Sequence, residues 1–203
     1  MQKKVYFLLK RTIDFFGALF GIVFIFLPLF IPVALVVRLD SEGPVLVALD
    51  RISNGKRIKV YKFRTMYKES ALFKPTLASL NERDGAFFKI KEDPRITKVG
   101  KILRKFRLDE LPQFFNVLKG ELSLVGPRPH EPQEVFFYPE KFHSLLGAKG
   151  GLTGLAQVKG NSSLSFLKEL ELDDYYLKHQ SIFLDLKILF KTLFLIFNDK
   201  NSV

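Results

Sequence analysis

An uncharged apolar run near the N-terminus limits what this chain can become. The run extends from Phe15 to Val37, between Asp14 and Arg38, and its 23 residues include no charged side chain. A straight helix rises about 1.5 Å per residue, so a run of this length can cross a hydrocarbon layer of about 30 Å. The run is longer than the apolar part of a secretory signal, about 7–15 residues, and no small-residue cleavage pattern follows it. We therefore expect a retained membrane segment.

Two features favour a re-entrant course for this segment over a spanning one. Pro28 and Pro32 lie inside the run, and each lacks an amide donor and crowds the carbonyl four residues back, so we expect the helix to break near Leu27-Pro28. Positive charge flanks both ends, and such charge marks the cytoplasmic side of a membrane. The flanking cations include Lys3, Lys4, Lys10, Arg11, Arg38, Arg51, Lys56 and Arg57. The alternative is a spanning helix with a proline kink, because neighbouring helices make prolines tolerable in membrane segments.

The composition of the whole chain indicates a folded, cationic protein without cysteine chemistry. Hydrophobic residues make up 47% of the 203 residues, and the absence of cysteine excludes disulfides, thiolate metal sites and a catalytic thiol. Lysine and arginine number 32 against 21 acidic residues, a net charge of +11. Such an excess points to a polyanionic partner. Composition alone leaves nucleic acid, an anionic membrane surface and a phosphorylated substrate as candidates.

Local patterns predict a mostly helical α+β fold with one small β-hairpin. Two short alternating stretches flank Asn54-Gly55, the favoured pair for a tight primed turn. Helical spacing from Ile96 to Phe106 gives an apolar stripe opposite a cationic face, which predicts an amphipathic helix. Residues 182–197 are mostly apolar but interrupted by charges, which suits a helix lying in the membrane interface. A buried packing helix is the alternative for that last segment.

An acidic pair, Asp109-Glu110, stands just before Leu111-Pro112 among many cations. Pro112 suits the first turn of a helix and disfavours helical dihedrals at the preceding residue, so we expect the pair at a helix break beside a new N-terminus. Amides and the helix dipole there should keep Asp109 ionised at neutral pH. Adjacent carboxylates suit Mg²⁺ shared with phosphate, and an ionised aspartate can attack phosphorus. Taken alone, such a pair is more commonly an N-terminal capping pair.

Three further cations are candidates for binding phosphate. Prolines on both sides of Arg128 restrict its backbone, so a bidentate phosphate contact has a low ordering cost, although a structural salt bridge explains the residue equally well. Strand alternation puts Lys62 and Arg64 on one face, away from their aromatic neighbours. That face either holds anions or is simply solvated.

These residues together resemble one family, the bacterial monotopic phosphoglycosyl transferases, also called bacterial sugar transferases. The resemblance runs from about residue 9 to residue 195, and the motifs occur in the family's order. The matching segments are 10–14, 41–44, 61–66, 93–97, 108–113, 124–129 and 151–158. The length of the chain corresponds to the small members that consist of the catalytic core alone.

The resemblance implies transfer of a sugar 1-phosphate from a UDP-sugar to polyprenyl (undecaprenyl) phosphate, with release of UMP, as the first membrane step of bacterial glycan or glycoconjugate assembly. It implies a covalent aspartyl-phosphosugar intermediate, with Asp109 as the nucleophile and Glu110 as its Mg²⁺-associated partner. Mg²⁺ is the implied cofactor, associated with both carboxylates. The positions matched to substrate phosphate binding are Arg104, Arg128 and, more weakly, Lys62 and Arg64.

The same resemblance implies a location and an organisation. Residues 1–40 are expected to form the re-entrant anchor, and residues 41–203 a catalytic domain on the cytoplasmic face of the bacterial inner membrane, ending in an interfacial helix, as one functional unit. Inner-leaflet anionic lipids are expected partners, a homo-oligomer is left open, and no nucleic acid is expected because no nucleic-acid signature is present. A nucleic-acid binder, favoured by charge alone, and a membrane scaffold without chemistry remain alternatives from other classes.

Overall fold

The computed structural model describes residues 2–160 and 163–198, and most of them are helical. The α-helices are α1 (Gln2–Gly21), α2 (Leu27–Asp40), α3 (Lys98–Lys105), α4 (Phe114–Lys119), α5 (Pro132–Val135), α6 (Leu155–Lys159), α7 (Phe166–Lys178) and α8 (Ile182–Asn198). The strands are β1 (Leu46–Ser53), β2 (Lys56–Phe63), β3 (Ser123–Val125) and β4 (Gly151–Thr153). Short 3₁₀-helices occupy Ser70–Phe73, Ala78–Leu80, Leu108–Gln113 and Glu140–Gly147. The predicted mostly helical α+β class is confirmed.

Helices α1 and α2 form one uninterrupted helical stretch. Its part from Lys3 to Asp40 is long and apolar enough to cross a membrane. The two helices are joined by a π-helical turn, Ile22–Phe26, in which the N–H of Leu27 bonds to the carbonyl of Ile22, five residues back. A π turn accommodates one extra residue in the hydrogen-bond ladder. The irregularity in this stretch is therefore a local loosening of the helix.

The two prolines lie directly after the π turn. Pro28 is in the first turn of α2 and Pro32 in its interior, and both have helical neighbours on each side. A proline ring crowds the carbonyl of the preceding turn, and a loosened turn ahead of it relieves that crowding. All residues from 2 to 40 are helical, so the break predicted near Leu27-Pro28 is not present in the structure. The re-entrant course of the segment stays a prediction.

Polar contacts join the globular part of the chain to both boundaries of the apolar run at residues 15–37. Near the start, Asp14 accepts hydrogen bonds from the Ser123 hydroxyl at 2.7 Å and the Leu124 N–H at 2.8 Å. At the far end, Asp40 accepts a hydrogen bond from the Val99 N–H at 3.1 Å. The apolar helix is thus fastened to the rest of the protein through polar groups at its two ends.

Strands β1 and β2 form the predicted hairpin. Ser53 pairs with Lys56 across the turn, and the antiparallel register continues to the end of β2. Asn54 and Gly55 have φ values of +53° and +68°, the left-handed conformation that a type I′ turn requires. The register places Lys62 next to the open end of the hairpin, the end that faces the candidate site described below.

Helix α8 has one packed face and one exposed face. Ile188 is fully buried in the main hydrophobic core. The exposed apolar residues of α8 are Phe183, Leu186, Phe190, Leu193 and Phe194. The packing helix and the interfacial helix, weighed as alternatives from the sequence, therefore describe different faces of the same helix. A membrane contact for the exposed face stays a prediction.

A buried carboxylate joins α8 to α1 and α7. Asp185 is 5% exposed and accepts hydrogen bonds from Lys10 Nζ at 2.8 Å, the Tyr176 hydroxyl at 2.6 Å and the Tyr6 hydroxyl at 3.1 Å. In the sequence this acid looks like an interruption of an apolar interfacial helix. In the structure it belongs to the packed face, where it compensates the Lys10 ammonium.

Replacing Asp185 with Ala is expected to lower the free energy of unfolding by about 3–5 kcal/mol, because it leaves the Lys10 ammonium in a largely buried position without its partner. Thermal unfolding in detergent measures the change. Asp174→Ala is a matched control on α7, since it removes a pair with a solvent-exposed lysine, Lys178, and should cost no more than about 1 kcal/mol. Equal losses in the two variants would contradict a special role for Asp185.

Candidate active site

The acidic pair Asp109-Glu110 lies in the 3₁₀-helix Leu108–Gln113, between α3 and α4. Arg107 precedes it with a φ of +54°, a left-handed conformation that few non-glycine residues adopt, and this turns the chain sharply out of α3. The predicted helix break is thus confirmed. Pro112, however, lies inside the 3₁₀-helix and not in the first turn of α4, so the acids are not capping residues of α4.

Lys62 of β2 bridges the two carboxylates. Its Nζ lies 2.7 Å from Oε1 of Glu110 and 3.3 Å from Oδ2 of Asp109. Asp109 is 6% exposed, while Glu110 and Lys62 keep partial contact with solvent. The hairpin therefore delivers a cation to the acidic pair and leaves one side of the pair open to a ligand.

The two carboxylates have opposite pKa shifts. Burial, together with the charge of Glu110, raises the pKa of Asp109 above that of an ordinary aspartate, although Lys62 and Arg104 oppose the rise. Burial acts in the same direction on Glu110, but Lys62 outweighs it and lowers the pKa of Glu110. The sequence predicted that helix amides would stabilise the charge of Asp109. In the structure Lys62 and Arg104 favour that charge but burial outweighs them, so the pKa of Asp109 shifts in the direction opposite to the prediction.

Arg104, in the last turn of α3, belongs to the same cluster. Its Nε donates a hydrogen bond to the Thr65 hydroxyl at 3.0 Å, and its charge acts on Asp109 and on Asp93. Burial lowers the pKa of Arg104, and the charges of these carboxylates oppose the change. The predicted phosphate-binding position of Arg104 is therefore beside the acidic pair.

Arg128 follows β3 and presents a second guanidinium at the site. Its backbone N–H donates to Oδ2 of Asp173 on α7 at 3.2 Å, which fixes the segment between the two prolines. Burial works to lower the pKa of Arg128, but the carboxylates of Glu169 and Glu110 outweigh it and the pKa is raised. The residue keeps solvent contact. Its side chain is thus available to a ligand near Glu110.

Arg64 differs from the other predicted site residues. Its Nη2 donates to the carbonyls of Val37 at 3.1 Å and Ser41 at 2.7 Å, and its Nε donates to the carbonyl of Pro44 at 2.7 Å. Its Nη1 contacts the Ser41 hydroxyl, and the residue is 5% exposed. These bonds hold the chain where it leaves α2. A phosphate-binding role for Arg64 is not favoured by this arrangement and stays an untested prediction.

Asn116 is a supporting residue that the sequence patterns did not indicate. It is fully buried, and its Nδ2 donates to the Lys59 carbonyl at 2.7 Å and to Glu121 Oε2 at 2.6 Å. Its Oδ1 accepts from the Tyr61 N–H at 3.1 Å. Asn116 thereby fastens α4 to β2, the strand that carries Lys62. The only hint in the sequence was an amide side chain, Asn116, among the apolar residues of the segment that forms α4.

The donor set suits a Mg²⁺ ion that is shared with a substrate phosphate. Over residues 2–160 and 163–198, no group of three or more histidine and acidic side chains is arranged to hold a metal by itself. Mg²⁺ is commonly held by one or two carboxylates with phosphate oxygens completing its shell. Asp109 and Glu110 supply two such carboxylates, and the Lys62 ammonium between them shows that the pair accepts a cation. The residues therefore fit the ion.

Comparisons with known proteins agree with this arrangement. A family model described as bacterial sugar transferase matches residues 5–199. The galactosyl transferase CpsE of Streptococcus agalactiae is 38% identical over 91% of this chain and 41% of its own length. The UDP-N-acetylgalactosamine-undecaprenyl-phosphate N-acetylgalactosaminephosphotransferase of Aeromonas hydrophila is 38% identical over 95% of this chain and 44% of its own length.

Relatives of more similar length also match. The exopolysaccharide production protein ExoY of Rhizobium meliloti is 37% identical over 91% of this chain and 83% of its own length. The chain thus spans less than half of the two relatives named above and most of ExoY. A match over nearly the whole chain, with the acidic pair and its cations assembled in one place, establishes that the chain belongs to the bacterial sugar transferase family.

Proposed function

We propose that this protein transfers a sugar 1-phosphate from a UDP-sugar to undecaprenyl phosphate and releases UMP. Membership of the family, and a relative whose name states transfer between these two kinds of substrate, support the proposal. The observation that carries it is the buried Asp109 beside Glu110, bridged by Lys62 and influenced by Arg104 and Arg128. Such a cluster suits a reaction in which negative phosphoryl groups meet a carboxylate nucleophile.

In the first step, Asp109 is the nucleophile. A carboxylate oxygen forms a bond to the phosphorus that carries the sugar, and the bond from that phosphorus to the UMP oxygen breaks, so UMP leaves with the electron pair. Lys62 holds the carboxylate in place, which reduces the entropy lost on reaching the reactive geometry. The positive charges of Arg104 and Arg128 stabilise the transferring phosphoryl group.

In the second step, an oxygen of undecaprenyl phosphate attacks the same phosphorus. The new phosphorus–oxygen bond completes a lipid-linked diphosphate sugar, and the carboxylate of Asp109 is released. Bound by Glu110 and Asp109, Mg²⁺ would neutralise phosphate charge during transfer. Two displacements spare the protein from binding a water-soluble donor and a lipid acceptor at the same moment.

We propose that residues 1–40 are a re-entrant anchor at the cytoplasmic face of the inner membrane and that residues 41–203 are the catalytic domain. The contacts of Asp14 and Asp40 with the globular part support this, because they draw both ends of the apolar helix to the same body. The exposed apolar face of α8 suits the interface of the same leaflet, where lysines reach lipid headgroups. Anionic lipids are therefore proposed partners.

The deciding experiment supplies a panel of radiolabelled UDP-sugars to the purified protein in detergent. With undecaprenyl phosphate present, label from the correct sugar should enter the lipid fraction. With the acceptor withheld, about one equivalent of UMP should be released and the label should stay on the protein. Transfer without any protein-bound intermediate would contradict the covalent mechanism, and no transfer from any UDP-sugar would contradict the activity.

The pH dependence of UMP release tests the role of Lys62. The attacking form of Asp109 is ionised, so the rate should fall as the pH decreases through the pKa of this carboxyl. Lys62 lowers that pKa, and in Lys62→Met we expect the acid limb of the profile to move to higher pH.

Lys59→Met is the matched control for this measurement. Lys59 lies on the same strand as Lys62 but is solvent-exposed and pairs with Asp50 at 2.9 Å. Its removal should leave the acid limb in place. An unshifted limb in Lys62→Met, or an equal shift in Lys59→Met, would contradict the electrostatic role assigned to Lys62.

A further inference from the structure

An apolar groove lies beside the candidate active site, in the segment between the hairpin and α3. Its volume is about 240 Å³. The lining is chiefly apolar, and its polar members are Ser70, Thr76 and Arg95 beside Tyr67, Phe73, Leu77 and Pro94. Exposed apolar concavities of this kind on a protein surface commonly mark a binding site.

The chemistry of the lining selects a neutral ligand. The Arg95 guanidinium is already bound by Asp93, at 2.6 Å from Nη2 to Oδ2 and 2.9 Å from Nε to Oδ1. The Thr76 hydroxyl donates to the Phe73 carbonyl at 2.9 Å. Beyond the Ser70 hydroxyl and the Arg95 Nη1, a nucleotide or a sugar placed here would lose water and find few polar partners, which is costly. A hydrocarbon chain has no such cost.

One side of the groove adjoins the phosphate-binding cations. The Tyr67 N–H donates to the Arg95 carbonyl at 3.0 Å, which ties together two of the lining segments. Thr65, two residues before Tyr67, holds the Arg104 guanidinium, and the charge of Asp93 acts on Arg104. Arg95, which lines the groove, also lies close enough to Arg104 for the two charges to interact.

The groove also belongs to the part of the fold that meets the proposed anchor. Helix α3, which follows Arg95, is fastened to the end of α2 by the hydrogen bond from the Val99 N–H to Asp40. Large apolar side chains around the groove are open to solvent: Leu72 is 72%, Phe73 55% and Leu80 54% exposed. This position, between the anchor and the cations, suits a ligand that is anchored in lipid and reacts through a phosphate.

We propose that the groove binds the isoprene units of the acceptor that follow the first one, while the acceptor phosphate lies near Arg104. The inference rests on the proposed transfer to a polyprenyl phosphate and assigns that acceptor its binding surface. A chain that moves from the bilayer into the groove exchanges one apolar surrounding for another. The groove therefore acts mainly by fixing the direction in which the acceptor phosphate approaches the phosphorus.

The test compares two soluble acceptors in detergent, dimethylallyl phosphate with a single isoprene unit and farnesyl phosphate with a longer chain. In Phe73→Asn and in Leu77→Asn we expect kcat/KM for farnesyl phosphate to fall about tenfold, and that for dimethylallyl phosphate to change no more than about twofold. UMP release without acceptor should be unchanged. Leu72→Asn, in the same short helix as Phe73 but outside the lining, is the matched control and should behave like the original protein.

Several outcomes would overturn the proposal. An equal loss of kcat/KM with both acceptors would show that the groove does not bind the isoprene units beyond the first. An equal loss in Leu72→Asn would assign the effect to a general apolar surface. Reduced sedimentation of Phe73→Asn with phosphatidylglycerol vesicles, together with unchanged use of farnesyl phosphate, would assign the groove to phospholipid.

A second measurement does not depend on catalysis. A benzophenone derivative of farnesyl phosphate should crosslink to residues 67–77, and unlabelled farnesyl phosphate should compete while phosphatidylglycerol should not. Crosslinking elsewhere in a protein that transfers sugar phosphate would overturn the groove assignment alone. A protein that releases no UMP from any UDP-sugar would overturn the proposed function, and a competed crosslink at 67–77 would still identify an isoprenoid site.

Discussion

Asp109→Asn is expected to abolish sugar-phosphate transfer, with a loss in turnover on the order of 10⁴-fold or more. The amide has the shape of the carboxylate but cannot form the bond to phosphorus on which both steps depend. No labelled sugar phosphate should remain on this variant when the acceptor is withheld. Single-turnover release of UMP and the label retained on the protein measure the effect. Near-original turnover would show that Asp109 is not the nucleophile.

Two observations separate this loss from damage to the fold. Asp109 is buried and burial raises its pKa, so a neutral side chain of the same size should not lower the melting temperature. Glu110→Gln is the matched variant, because it removes the neighbouring charge and keeps the nucleophile. It should slow the reaction and still trap labelled sugar phosphate on Asp109. Trapping abolished equally in both variants would contradict the distinct roles assigned to the two carboxylates.

The elements that the sequence predicts well are those set by local signals. Asn54-Gly55 has the left-handed preference of a type I′ turn, and the turn determines the register of both strands. Pro112 predicts the break between α3 and α4, although in the structure the chain leaves α3 at Arg107 and Pro112 lies inside the 3₁₀-helix that follows. Fold class and the place of the acidic pair were therefore accessible without coordinates.

Contacts between residues that are far apart in the sequence could not be predicted from such local signals. Strand alternation places Lys62 and Arg64 on one face, but it does not say what lies opposite. In the structure Lys62 meets the acidic pair, whereas Arg64, just past the end of β2, meets the last turn of α2. The same pattern thus gives one residue of the candidate site and one of the scaffold, and only tertiary packing distinguishes them.

The N-terminal helix shows the same limit. Pro28 predicts a disturbed helix, because its ring and its missing donor conflict with the ladder of the preceding turn. Sequence does not decide whether the chain absorbs the conflict by breaking or by a π turn. Packing against the globular part favours continuous helix here, since Phe26, at the end of the π turn, is buried and packs on Phe63 and Phe115.

Substitutions of Arg128 and Arg64 should affect turnover and stability differently. Arg128→Gln should lower turnover by about 10²–10³-fold, because the transferring phosphoryl group loses a preorganised positive charge. The guanidinium also compensates the buried Glu169, so the melting temperature should fall as well. Turnover of the folded protein and thermal unfolding, measured on the same samples, separate the two effects.

Arg64→Gln should affect stability but not turnover. The substitution leaves the carbonyls of Val37, Ser41 and Pro44 without their donor, and the carbonyl of the buried Val37 alone costs about 1–3 kcal/mol. We therefore expect a clear fall in the free energy of unfolding, while the fraction that remains folded transfers sugar phosphate at close to the original rate. If Arg64→Gln instead lost transfer at an unchanged melting temperature, the result would assign Arg64 to phosphate binding. It would also show that the contacts of Arg64 at the end of α2 contribute little to stability.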